Sequence, residues 1–115
     1  MSPADFRRLA LAMPQAVESA HVGHPDFRVG GKVFATLDYP EPGWAMVKLL
    51  PEQQDLFVMA YGKAFRPVKG AWGLKGATNV RLDAAGEQAV GDALRAAWLN
   101  TVPRKIVEQS GALQT

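Results

Sequence analysis

Between Val17 and Leu49 the chain alternates short two-periodic runs with turns too short for a parallel crossover, and this pattern constrains the fold most tightly. In the first run Val17, Ser19 and His21 fall on one side and Glu18, Ala20 and Val22 on the other. Gly23-His24-Pro25-Asp26 reads as a turn. Phe27-Arg28-Val29 and Lys32–Leu37 flank Gly30-Gly31, and two glycines supply the positive φ angles of a tight hairpin. A loop from Asp38 to Gly43 leads to Trp44–Leu49, where Trp44, Met46 and Lys48 alternate against Ala45, Val47 and Leu49. Four such strands in succession require an antiparallel sheet.

Helical signals bracket them. Ser2-Pro3-Ala4-Asp5 combines a capping hydroxyl, a first-turn proline and an acid at the positive end of the helix dipole. Phe6, Leu9, Ala10 and Met13 then make one buried face, and Pro14 stops the helix. Pro51-Glu52 opens a second helix running to about Ala60, with Leu56, Met59 and Ala60 expected on its inner side. Thr78–Leu82 reads as a strand with Thr78, Val80 and Leu82 on one face and Asn79 and Arg81 on the other. Asp83 is the expected cap of the last long helix, whose stripe is Val90, Ala93, Leu94, Ala97 and Trp98. Gly91 lies inside that helix, costs about 1 kcal/mol relative to alanine, and is explained only if close packing needs it. Pro103 ends the helix, and a short turn is expected over Arg104–Gln109. The order α-β-β-β-β-α-β-α gives an α+β two-layer sandwich, with helices on one face of the sheet and the other face partly open to solvent.

At 115 residues, 48% apolar and 21% charged, the chain suits a single domain over 1–115 with one core. The absence of cysteine excludes disulfides, thiolate metal sites and a cysteine nucleophile. Met1–Asp5 lacks a signal pattern and no apolar run approaches a membrane span, so a cytoplasmic protein with no membrane partner is expected.

Thirteen Lys and Arg against eleven Asp and Glu leave only +2, but the excess is concentrated. From Lys63 to Leu82 there are five basic residues, Lys63, Arg66, Lys69, Lys75 and Arg81, and no acid. Phe65 and Trp72 sit among them, and Gly70, Gly73 and Gly76 make the middle read as loop. Such a segment can grip phosphates and stack on bases. The plainer possibility, which pattern alone favours, is a solvated loop whose Trp72 folds back onto the core.

Other chemistries find little support. His21 and His24 have metal-like spacing but fall at a strand end and a turn, with Asp26 the one acid nearby. Their expected roles are a polar sheet position for His21 and hydrogen bonds fixing the turn for His24 and Asp26. Ser19 lacks a nucleophile elbow, and Gly30-Gly31-Lys32 lacks the Walker spacing. No enzyme activity, cofactor or metal is expected.

The segment His21–Ala35 (HVGHPDFRVGGKVFA) resembles the hallmark of the MmcQ/YjbR family. So do Lys48-Leu49 followed by Pro51-Glu52-Gln53, Gly70-Ala71-Trp72-Gly73, Val80-Arg81-Leu82 and Ala97-Trp98, in order along nearly the whole chain. The resemblance implies a small α+β fold like that of the iron-delivery protein CyaY and of secretion chaperones, and a DNA-binding role. An iron role by fold analogy would need an acidic ridge, and the first helix has only Asp5. Members often place Thr or Ser before Pro-Glu-Gln. Leu50 stands there in this chain, a lost cap expected to cost about 1 kcal/mol. Members also often carry a further basic residue and an aromatic near Leu74 and Ala77, so the basic loop is poorer in this chain.

The leading expectation is therefore a non-enzymatic DNA-binding protein of low sequence specificity. Phosphate contacts would come from Arg28, Lys32, Lys63, Arg66, Lys69, Lys75 and Arg81, with Trp72 stacking or wedging. Arg28 and Lys32 on the hairpin would converge with the loop into a wing. The alternatives are a module holding a protein partner on the sheet's open face or edge, and a small-molecule pocket lined by Tyr39, Trp44 and Trp72.

Overall fold

The structure, a computed structural model, describes residues 1–110. Its elements are α1 (Pro3–Leu11), β1 (Val17–His21), β2 (His24–Val29), β3 (Lys32–Leu37), β4 (Trp44–Lys48), α2 (Pro51–Ala60), β5 (Phe65–Pro67), α3 (Ala71–Leu74), β6 (Ala77–Arg81), α4 (Glu87–Thr101) and α5 (Arg104–Ser110). All strands join one antiparallel sheet in the order β1-β2-β3-β4-β6-β5. Helices α1 and α4 cover one face, giving the expected α+β sandwich.

The expected helix start is present in full. Ser2 Oγ accepts from the Asp5 N–H at 3.1 Å and the Asp5 carboxylate accepts from the Ser2 N–H at 3.0 Å, a capping box that satisfies two otherwise orphaned donors. Hydrogen bonding from Ser2 to the carboxylate, by its backbone N–H first and its side chain second, holds the Asp5 carboxyl below the ordinary aspartate range. The α4 stripe is buried as read, and Trp98 also donates its Nε1–H to the Pro14 carbonyl at 2.9 Å. Facing it are Phe27, Val29, Phe34, Ala35, Leu37, Ala45, Val47 and Val80, all fully buried. Phe34 is the extra residue of a bulge, since Phe27 opposes Ala35 while Arg28 opposes Val33.

Gly30 and Gly31 take φ of 58° and 80°, as the hairpin reading requires. Gly30 has a second reason to be glycine: a Cβ there would lie 2.5 Å from Pro103 Cγ and 3.1 Å from Ile106 Cδ1, so Pro103 and the α5 that follows it pack directly on the turn.

Several local expectations fail, each for a physical reason. The turn after β1 is Val22-Gly23, with φ of 51° and 79°, and His24, Pro25 and Asp26 already belong to β2. Asp26 therefore does not fix a turn; it is buried in the sheet and bound to Arg28. The inner side of α2 is Gln54, Phe57 and Val58, whereas Leu56 and Met59 are 67% and 85% exposed and Ala60 is exposed too. Two apolar stripes compete on this helix, and a buried glutamine selects between them. Gln54 Nε2 donates toward the Gly73 and Ala77 carbonyls (3.1 and 2.9 Å) and Thr78 Oγ1 (3.2 Å).

Asp83 does not cap α4, whose cap residue is Gly86; a 3-10 turn over Leu82–Ala84 intervenes and Asp83 pairs with Arg81. The cap lost at Leu50 is half replaced: Gln53 Oε1 accepts from the Leu50 N–H at 2.9 Å and is itself held by Asn100 Nδ2 at 2.7 Å. Finally, the middle of the Lys63–Leu82 stretch is not plain loop. It adds edge strand β5 and the single turn α3, so the element order gains a strand and a helical turn before β6. Gly91 is not explained by packing, because a Cβ there would meet nothing within 4 Å. Among the described residues no helix is long and apolar enough to cross a membrane.

Candidate nucleic-acid interface

Helices cover one face of the sheet, so side chains alternate onto the opposite, outer face. Register places Trp44 opposite Arg81, Met46 opposite Asn79 and Lys48 opposite Ala77 on β4 and β6, and Arg66 of β5 opposite Asn79. These positions share the outer face, because their neighbours Ala45, Val47, Val80 and Phe65 fill the core.

Two cation–aromatic pairs form there. The Arg66 guanidinium carbon lies 4.7 Å from the centre of the half-buried Trp44 ring. Lys48 Nζ lies 5.8 Å from the Trp72 ring at the end of the sheet where β6 begins. Each such contact contributes about 0.5–1 kcal/mol at an exposed site. Trp72 is 65% exposed, so it does not fold back onto the core. Its position is set by α3. Gly70 takes φ of 84°, and a Cβ on Gly73 would lie 1.6 Å from the Val68 carbonyl oxygen, so this turn admits only glycine at Gly73.

The expected basic set is only partly assembled. Arg66 and Arg81 share the outer face. Lys69 and Lys75 are exposed on the segments flanking α3, and Lys63 is exposed in the loop before β5. Arg28 is on the outer face of β2, four strand spacings from β5, or about 19 Å. Its guanidinium is clamped by both Asp26 oxygens at 2.9 Å, and that hydrogen bonding, with the aspartate charge, raises its pKa. Lys32 is exposed beside the hairpin turn, which is tied to α5. Hairpin and loop therefore do not converge into a wing.

Among the described residues Lys32, Lys48, Lys63, Arg66, Lys69 and Lys75 form no ion pair, while Arg28 and Arg81 are neutralised by Asp26 and Asp83. Lys48 was not among the expected residues, although its alternation with Trp44 and Met46 placed it on their face.

A cleft of about 570 Å³ is lined by Trp44, Arg66 and Arg81 together with Glu41, Asp83 and Leu82. Tyr39 and Trp72 do not line it, so the expected three-ring pocket is not formed; Tyr39 instead packs edge-on to His24 at 5.2 Å. His21 and His24 oppose each other across β1 and β2. The described residues contain no group of three or more His, Asp or Glu able to hold a metal.

The YjbR family model matches residues 11–100. No curated protein matches the chain. Among solved structures, the chain is similar to the crystal structure of a Deinococcus radiodurans protein with a DUF419 domain. The TM-score is 0.76 at 20% identity, covering 96% of this chain and 88% of that chain. At that identity the likeness concerns the fold.

Proposed function

This chain belongs to the YjbR family, and from that premise together with its outer sheet face we propose that it is a cytoplasmic, non-enzymatic DNA-binding protein. Contacts are mainly to phosphate, from Lys48, Arg66, Lys69 and Lys75, with the more distant Lys32 and Lys63 adding long-range attraction and Arg81, paired with Asp83, adding little. Arg28 contributes little, since its charge is spent on Asp26. The observation that carries the proposal is the pairing of unneutralised cations with tryptophans on one uncovered sheet face, Arg66 on Trp44 and Lys48 on Trp72.

That combination suits single strands, whose bases are free to stack, better than duplex. The four-residue α3 is too short to read a major groove, which fits low sequence specificity.

The test is fluorescence anisotropy with labelled random single-stranded and duplex DNA over a salt series. Binding should weaken steeply with salt, by about 0.7 in log–log slope per single-strand phosphate neutralised. Lys48→Ala/Arg66→Ala should flatten that slope by about 1.4. Trp72→Ala should weaken single-strand binding about ten-fold, one stacked base being worth roughly 1–3 kcal/mol. Absence of binding at low salt, or unchanged binding by the folded double variant, would overturn the proposal.

A further inference from the structure

The two edges of the sheet are treated differently by the sequence. The β5 edge is three residues long and ends in Pro67, which has no N–H to offer. The β1 edge is five residues, Val-Glu-Ser-Ala-His, every one exposed, with no proline, no lysine and no bulge against β2.

Which backbone groups β1 presents follows from the turn. Val22-Gly23 is a two-residue hairpin turn with both φ positive, closing on His21 opposite His24. In such a hairpin that closing pair exchanges both backbone hydrogen bonds, and pairs two residues further on do the same. Ser19 opposite Asp26 and Val17 opposite Arg28 are therefore the bonded pairs. The N–H and C=O groups of Glu18 and Ala20 point away from the sheet.

We propose that two copies of this chain pair antiparallel along β1 about a two-fold axis at Ser19. Glu18 then bonds Ala20 of the second copy in both directions, and the symmetric pair does the same, so every outward group is used. Ser19 faces Ser19 of the second copy, and Val17 faces His21. Charge selects this register. A shift that sets Glu18 against Glu18 opposes two carboxylates directly, and one that sets Ala20 against Ala20 brings Glu18 opposite the turn. In the proposed register Glu18 faces an alanine, and its charge is already met within its own copy by Arg7 Nε at 2.8 Å. Both copies keep their helices on the same side, and the outer faces form one continuous surface. The inference stands independently of DNA binding. A strand this short makes a small interface, so a weak, concentration-dependent dimer is expected.

The absence of cysteine permits a register-specific test. Ser19→Cys places two thiols across a non-bonded antiparallel pair, where Cα atoms are about 4.5 Å apart, within disulfide reach. Under mild oxidation it should cross-link at least an order of magnitude faster than Val17→Cys, whose counterpart lies four residues away along the partner strand. Sedimentation equilibrium at high concentration should show dimer for the unmodified chain and monomer for Ala20→Pro. That proline removes only an outward N–H and leaves the circular dichroism spectrum unchanged. Equal cross-linking rates, a monomeric unmodified chain, or a folded Ala20→Pro variant that still dimerises would each overturn the proposal.

Discussion

Replacing Gln54 by leucine tests how the exposed Trp72 is held in place. Gln54 is 7% exposed and its amide reaches from α2 to the backbone entering β6. Leucine has similar volume but no donor. The two carbonyls that lose it keep one backbone donor each, Gly76 N–H on Gly73 and Val68 N–H on Ala77. Thr78 keeps its own donation to Gly76 at 2.8 Å. No group is fully orphaned, so the loss is two net hydrogen bonds at about 1 kcal/mol each, or about 2 kcal/mol. The more apolar leucine returns roughly 0.5 kcal/mol of burial, leaving about 1.5 kcal/mol.

With a urea m-value near 1.5 kcal/mol/M, the unfolding midpoint should fall by about 1 M with m unchanged. Trp72 emission should shift as α3 loosens. Gln54→Glu should be worse than leucine at neutral pH, because a buried carboxylate would face three acceptor oxygens with no proton to give. Its folded-state pKa would be raised, so this penalty is full above that pKa and shrinks as pH falls and the carboxyl regains a donor. A leucine variant as stable as the parent, or a glutamate variant equal to leucine at neutral pH, would refute the assignment of this turn to the Gln54 amide.

Gly91→Ala should stabilise the protein by about 1 kcal/mol, because the helix gains propensity and the new methyl meets open space. A rise of about 4 °C in Tm by calorimetry checks it. Val22→Asn should also stabilise, by about 1 kcal/mol. A β-branched residue is strained at φ of 51°, and Asn-Gly is the favoured pair for this turn; urea denaturation measures the gain. Asp5 has a folded-state pKa depressed by the Ser2 N–H and hydroxyl, so its contribution is present above the ordinary aspartate pKa of about 3.9 and lost as pH falls through the folded value. The stability difference between the parent and Asp5→Asn should therefore shrink between pH 6 and pH 3, read from urea melts at each pH.

Local chemistry determined what depends on neighbours in the chain. The Ser2–Asp5 capping box, the glycine hairpin, the α4 stripe and the alternation that puts Trp44, Met46 and Lys48 on one face all follow from contacts within a few residues, and all are as read. The Asp26–Arg28 clamp was within reach of the same alternation, since residues two apart on a strand share a face. It was missed because Pro25 suggested a turn, whereas β2 lies beside the edge strand β1 and tolerates proline near its start.

Tertiary structure alone decided the rest. A three-residue strand such as β5 has too little sequence for a period, and exists because β6 offers it a free edge. The side of α2 that turns inward was set by hydrogen bonds from Gln54 to carbonyls 19 and 23 residues away, which no helical periodicity encodes. Which cations stay unpaired depends on where acids land after folding, and that leaves Lys48 and Arg66 facing solvent beside their tryptophans while Arg28 and Arg81 are neutralised.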